Sequence, residues 1–244
     1  MAFLRGSLCL DRNYHRKGRC KRITAGGFAH HAYTTRVGPR FRPPDRDDVT
    51  SGVLSRLTKA LDRAARAGAS GRGLGVYLTE FGIQSTPDPF VGVTLARQAE
   101  YLAIAEHMAY VNPRVRSFSQ YLLSDDKPRK GSRVERYGGF ESGLRRSDGR
   151  AKPSYASFRL PLAIETYGRS DVLWGRVRPQ ATQTRVTILA SRRPGRKFKP
   201  LRTVTTNHRG VFGLRATHHD KQRYRVQWTG PDGKVWRGPP IRAT

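Results

Sequence analysis

The stretch Gly73–Gly82 reads GLGVYLTEFG, and it decides how the first two-thirds of the chain is read. Leu74–Thr79 is a short apolar run closed by glycines on one side and Glu80-Phe81-Gly82 on the other. It is too short for a buried helix and suits a buried parallel strand. Glu80 stands at the strand's C-terminal end. Upstream, Val53, Leu54, Leu57, Leu61, Ala64 and Ala65 recur at helical spacing, with Asp47 or Asp48 offered as a cap and Gly68 to Gly73 as the stop. Before that helix, Gly38, Pro39, Pro43 and Pro44 make a rigid loop, and Ile23–Tyr33 leads into a short strand ending in His30, His31 and Tyr33. Downstream, Thr94 caps a helix carrying Leu95, Leu102, Ala105 and Met108 on one face, and Asn112-Pro113 ends it. Val115–Leu123 reads as a further strand ending at Ser124, Asp125 and Asp126. A basic, glycine-rich loop follows to Gly149, then a short helix at Pro153–Leu160 with proline in its first turn.

This alternation of strand and helix predicts α/β units around a parallel sheet. After Pro161 the pattern changes. Val172–Val177, Arg185–Ala190, Leu201–Thr205, Val211–Ala216, Arg223–Thr229 and Val235–Arg237 read as short strands, with Trp174, Phe212, Tyr224, Trp228 and Trp236 as aromatic core. Strands at this spacing suggest a small β-sandwich. The expected division is 1–161 and 162–244.

A carboxylate held at a strand end can attack an anomeric carbon or stabilise an oxocarbenium-like transition state. Alone, Thr-Glu-Phe-Gly is equally a surface glutamate opening a loop. The neighbouring strand ends add imidazole, phenol, amide and carboxylate from His31, Tyr33, Gln120, Tyr121 and Asp125, groups of the kind that bind sugars. Adjacent histidines on a strand face opposite ways, so His31 is assigned to the site beside Tyr33, and His30 to a structural role. A tyrosine hydroxyl near the carboxylate would hold it ionised by hydrogen bonding.

With these residues in place the chain resembles the C-terminal part of clan A glycoside hydrolases, the cellulase-like (β/α) barrels of bacteria. The matching features are His31-Ala32-Tyr33, YLTEFG at Tyr77–Gly82, SQYLLSDD at Ser119–Asp126 and GLRRSDGRAKPSYASF at Gly143–Phe158. The resemblance implies hydrolysis of O-glycosyl bonds with retention, Glu80 as nucleophile, His31 and Tyr33 as its orienting and sugar-binding partners, and a polysaccharide or glycoside as substrate. It implies a fold of α/β class: a partial TIM barrel of about the last three β/α units, followed by a small all-β sandwich of the immunoglobulin-like or fibronectin-like kind. Two departures stand out. Tyr121 occupies the region where many such barrels carry a tryptophan, and no Asn-Glu pair, the family's acid/base signature, occurs in the sequence. A full barrel takes about 250 residues. The expectation is therefore a truncated enzyme that hydrolyses no aryl glycoside above background, with Asp125, Asp126 and Glu141 as the nearest substitutes for the missing acid.

Composition sets the alternatives. The formal charge of +29 favours anionic partners, but its arginines are scattered and match no nucleic-acid-reading motif, which argues against nucleic acid. A non-catalytic carbohydrate-binding or surface protein, with the sandwich as its working part, is the second reading; a basic nucleic-acid-binding protein is the third. No cofactor and no metal site is expected, because neither cysteine belongs to a Cys-x-x-Cys pair. Cys9 and Cys20 flank one polar loop and are expected to form a disulfide. No apolar run reaches the roughly 18 residues of a membrane span. Met1–Leu10 is a poor signal peptide, so the extracellular or cell-surface location expected of the intact enzyme would need a leader from further upstream.

Overall fold

The computed structural model describes residues 1–179, 182–192 and 195–243. Its elements run α1 (Ala2–Ser7), β1 (Gly27–His31), α2 (Leu54–Arg66), β2 (Gly75–Phe81), α3 (Leu95–Tyr110), β3 (Val115–Gln120), α4 (Arg133–Arg136) and α5 (Pro153–Arg159). Eight strands follow: β4 (Leu162–Tyr167), β5 (Ser170–Arg176), β6 (Arg185–Ser191), β7 (Lys199–Thr205), β8 (Val211–Thr217), β9 (Arg223–Thr229), β10 (Val235–Arg237) and β11 (Ile241–Arg242). Two compact units result, one of Met1–Gly82 with Met108–Tyr121, the other of Ile83–His107 with Leu122–Thr244.

The first unit holds a parallel sheet in the order β1-β2-β3. Phe28, Val76 and Leu78 face a core that includes Leu57, Ala60, Leu61 and Ala64 of α2. That helix ends because Gly68 adopts φ +71°. The Ala69 amide then reaches the Ala64 carbonyl (2.9 Å) and the Gly68 amide reaches that of Ala65 (3.0 Å), satisfying two terminal carbonyls. No aspartate caps its start: Ser51–Val53 form a 3-10 turn ahead of it, and Asp47 instead forms a two-pronged pair with Arg5, both contacts at 2.7 Å. Cys9 and Cys20 are disulfide-bonded, their Cα atoms 5.9 Å apart.

In the second unit, one sheet has the order β4-β5-β8 and the other β10-β9-β6-β7, with β11 also on β9; every pair is antiparallel. Leu162, Leu173, Ile188, Phe212, Tyr224, Val226 and Trp228 form its core. Gly168, at φ +56°, turns β4 into β5 with a two-residue loop.

The expected α/β class, a partial TIM barrel with an appended sandwich, is corrected by this arrangement. Among the described residues the chain is mostly β, in three small sheets, with 21% helix and no closed barrel. Strand–helix alternation is a local pattern. Closure depends on strand number and shear, and an α/β barrel closes with eight strands, whereas the parallel sheet here has three. Among the described residues, no helix is long and apolar enough to cross a membrane.

Candidate active site

Glu80 is placed by an irregularity in β2. Along β1, Ala29 pairs with Tyr77 and His31 with Glu80, so two residues on one strand span three on the other. The same excess recurs against β3, where Leu78 pairs with Phe118 and Phe81 with Gln120. One extra residue therefore sits between Leu78 and Glu80, a bulge that reverses the alternation. Without it Glu80 would share the core face of Val76 and Leu78. With it, Phe81 returns to the buried side and Glu80 joins Tyr77 and His31 on the other. The Tyr77 ring lies across Gly27, where a Cβ would come within 2.3 Å of the ring carbon Cε2.

Two groups converge on one carboxylate oxygen. The Tyr33 hydroxyl donates to Glu80 Oε2 at 3.1 Å, and His31 Nδ1 lies 3.3 Å from the same atom. The His31 side chain is half exposed and that of Glu80 about one-third exposed (50% and 34%), so an external molecule can reach both. Oε1 has no hydrogen-bond partner among the described residues. Tyr33 is held by aromatic neighbours: it stacks on Phe81 (centroids 6.3 Å apart, planes 15°) and meets Tyr121 edge-on at 6.5 Å. Phe81 packs in turn on Phe118 at 5.2 Å. The preceding Ala32 is anchored through its carbonyl to the Ser51 amide (3.1 Å). Burial, reinforced by the bond to Glu80, pushes the Tyr33 phenol above its ordinary range, so it stays a donor through neutral and mildly alkaline pH.

His30 turns away from this group. Its Nε2 bonds the Val49 carbonyl at 2.8 Å, and burial lowers its pKa below the usual histidine range. The Gln120 side chain donates to the Tyr121 carbonyl at 2.8 Å. The bulge and the Phe81–Phe118 support went unread in the sequence. Their signal was present: apolar residues at 76, 78 and then 81 take a step of three where a regular strand takes two.

Asp125, Asp126 and Glu141 belong to the second unit and form a different group. Lys152, fully buried, donates to Asp125 Oδ1 (2.6 Å), Ser85 Oγ (3.0 Å) and the Glu141 carbonyl (3.0 Å). Burial pushes the Asp125 carboxyl up and the Lys152 ammonium down, each against the pull of the other's charge. Gly143 allows the chain to close over this pair, since a Cβ there would lie 2.5 Å from the Asp125 backbone nitrogen. Glu141 is 3% exposed, its Oε2 has no hydrogen-bond partner among the described residues, and it lines a cavity of about 170 Å³ with Asp125, Asp126 and Arg146. Burial first, then the nearby Asp88, Asp125 and Asp126, push its carboxyl up to about 7 from an ordinary 4.5.

The folded state therefore binds a proton that the unfolded chain releases between those two values. Stability should fall as pH rises through that window, by on the order of 2–3 kcal/mol. Urea unfolding followed by tryptophan fluorescence at pH 4.5 and pH 8 checks this. Glu141→Gln should remove most of the difference, and an unchanged difference in that variant would assign it to other groups.

No protein-family model and no curated protein matches the chain. Among solved structures it is similar to a Bacteroides uniformis beta-glucuronidase 2 (TM-score 0.38, 12% identity, 90% of this chain and 26% of that one). It is also similar to a Parabacteroides merdae beta-glucuronidase (0.37, 11%, 81% and 27%) and a Dictyoglomus thermophilum beta-D-mannosidase (0.36, 13%, 59% and 18%). These neighbours are glycoside hydrolases. The chain spans about a quarter of the length of the glucuronidases. At such low identities and TM-scores, what this chain does has to come from its own residues.

Proposed function

We propose that the chain carries a glycosidase-type site in which Glu80 is the nucleophile toward a glycoside. The observation that carries this reading is the asymmetry of the carboxylate: Tyr33 and His31 both engage Oε2, while Oε1 has no partner among the described residues. One oxygen is fixed and the other can attack C1 of a sugar. The Tyr33 hydroxyl, donating to Oε2, holds the carboxylate in one orientation. The sequence resemblance around His31, Tyr33 and Glu80 supports the same roles.

Retaining hydrolysis also needs a carboxylic acid about 5–5.5 Å from the nucleophile, to protonate the leaving oxygen. The polar partners of Glu80 among the described residues are a phenol and an imidazole. The pair thus supplies attack but no carboxylic acid, so substrates whose leaving group departs as a stable anion suit it best. This directs the test to 2-deoxy-2-fluoroglycosyl fluorides of gluco, galacto, manno and glucurono configuration. Glu80 Oε1 attacks C1, the C–F bond breaks with its electron pair on fluoride, and a glycosyl ester remains. Intact-mass and peptide mapping should find a single adduct on Glu80 with one configuration, absent in Glu80→Gln. In Tyr33→Phe it should form about 10-fold or more slowly, the cost of one hydrogen bond to a charged group. An adduct that persists in Glu80→Gln, or none with any configuration, would overturn the reading.

A further inference from the structure

A second cavity is lined by basic residues. A groove of about 800 Å³ opens in the second unit along β7 and β8, bounded by the hairpin from β6 to β7 and by the turn after β8. These strands are edges of different sheets: β7 ends the order β10-β9-β6-β7 and β8 ends β4-β5-β8. Nearly every residue of β7 is exposed, the Leu201 side included, so the sandwich stays open here.

The lining is charged with one sign. Among the described residues Arg192, Arg196, Lys197, Lys199, Arg202 and Arg215 contribute to it, and no aspartate or glutamate does. Elsewhere the chain does pair its cations, as Arg5 with Asp47, Arg114 with Asp62 and Arg178 with Glu106. None of these six has a carboxylate partner among the described residues. Unneutralised cations in one cleft repel one another, a cost that an anionic ligand removes. Lysine and proline on an edge strand also discourage strand addition. That explains Lys199 and Pro200 on β7, but not Arg215 on the facing β8 or the arginines of the hairpin.

We propose that this groove binds an anionic polysaccharide, one bearing carboxylate or sulfate groups along its chain. From Lys199 to Arg202 the cations follow about 10 Å of strand and continue into the hairpin. They form a row, which fits charges repeated along a polymer better than one small anion. Arginine forks match carboxylate and sulfate oxygens in pairs. Pro200, Leu201, Leu214 and Ala216 give the floor apolar patches of the kind that pack against sugar-ring C–H groups. Among the described residues His219 is the one ring that lines the groove, with no phenylalanine, tyrosine or tryptophan, and single-stranded nucleic acid is held by stacking successive bases on several such rings. The site is independent of Glu80.

The test uses the full chain with polygalacturonate and dextran sulfate as probes, and neutral dextran and oligo-dT as comparisons, over a salt series. Arg202→Glu with Arg215→Glu should weaken polygalacturonate or dextran sulfate binding at least 10-fold and flatten the dependence of log affinity on log salt by about 2, one ion released per lost contact. Arg19→Glu with Arg22→Glu makes the same change in net charge at exposed positions of the first unit. It should leave affinity within about 2-fold. Tryptophan fluorescence and thermal midpoints establish that both variants are folded, and Arg202→Ala with Arg215→Ala serves if the reversal is not. Equal losses in both pairs would reduce the effect to general charge attraction and overturn the proposal. So would undiminished binding in the groove variant, or tighter, groove-dependent binding of oligo-dT than of either polysaccharide. None of these outcomes bears on the Glu80 adduct.

Discussion

Asp171→Ala should cost the sandwich about 3–5 kcal/mol, a large share of the roughly 5–15 kcal/mol by which a domain is stable. The Asp171 carboxylate has no solvent exposure and accepts three hydrogen bonds, each 2.8 Å long, from Thr166 Oγ1, His218 Nδ1 and the Tyr224 hydroxyl. Removing it strands the fully buried Tyr224 hydroxyl and takes the acceptor from the partly buried Thr166 and His218 donors, and an unmet buried polar group costs about 1–3 kcal/mol. The bond from Tyr224 also joins the two sheets, since Tyr224 lies on β9 and Asp171 on β5. Tyr224→Phe removes one donor and leaves two, so its expected cost is about 1.5–3 kcal/mol. All three tryptophans of the chain, Trp174, Trp228 and Trp236, lie in this unit. Their fluorescence during urea unfolding therefore reports on it directly. Midpoints unchanged in Asp171→Ala would show that the network contributes nothing.

Lys152→Met is expected to cost about 3–5 kcal/mol by the same measurement, for a different reason. The substitution keeps length and apolar volume but leaves the Asp125 carboxylate, with a side chain 6% exposed, as an uncompensated charge. It also strips a donor from Ser85 Oγ and from the Glu141 carbonyl. Adding Asp125→Leu should recover part of the loss, giving a coupling of about 1–3 kcal/mol, since a buried pair replaced as a whole is tolerated far better than a pair broken. Recovery will be incomplete, because the Gly143 amide donates to Asp125 Oδ1 at 2.9 Å and loses that acceptor. Additive losses would mean that the two residues act separately.

How much of this was legible follows from which interactions are local. The helical spacing over Val53–Ala65 and the short apolar run before Glu80 are local patterns, and α2 and β2 lie there. The grouping of Glu80 with Tyr33 and His31 was readable because residues at the ends of neighbouring parallel strands are neighbours in space. The sandwich strands β5 to β10 were readable from alternation and turns. β4 was missed, since LAIETY follows Pro161 directly and alternates poorly. α4 was read as loop although Ser132 and Glu135 spell a capping box, which the structure forms. The Lys152–Asp125 pair had no signal. A lysine between Ala151 and Pro153 looks like surface, and only the packing of distant segments makes it interior. Sheet closure failed for the same reason at a larger scale: nothing within one strand–helix unit encodes how many such units share a sheet.

The extra residue in β2 means that the strand has two phases. Up to Leu78 one parity of residue number looks inward; from Glu80 onward the other does. Deleting Thr79 alone would change neither the charge nor the apolar content of the segment, and by removing the extra residue it would bring the two phases into step with Glu80 still opposite His31 and Phe81 still opposite Gln120. What would turn the carboxylate toward the core is a regular strand that kept Thr79, so the site depends on the sheet accommodating one residue too many at this point. A graft of this strand into a sheet that forms no bulge must leave Thr79 out, or the glutamate arrives on the wrong side.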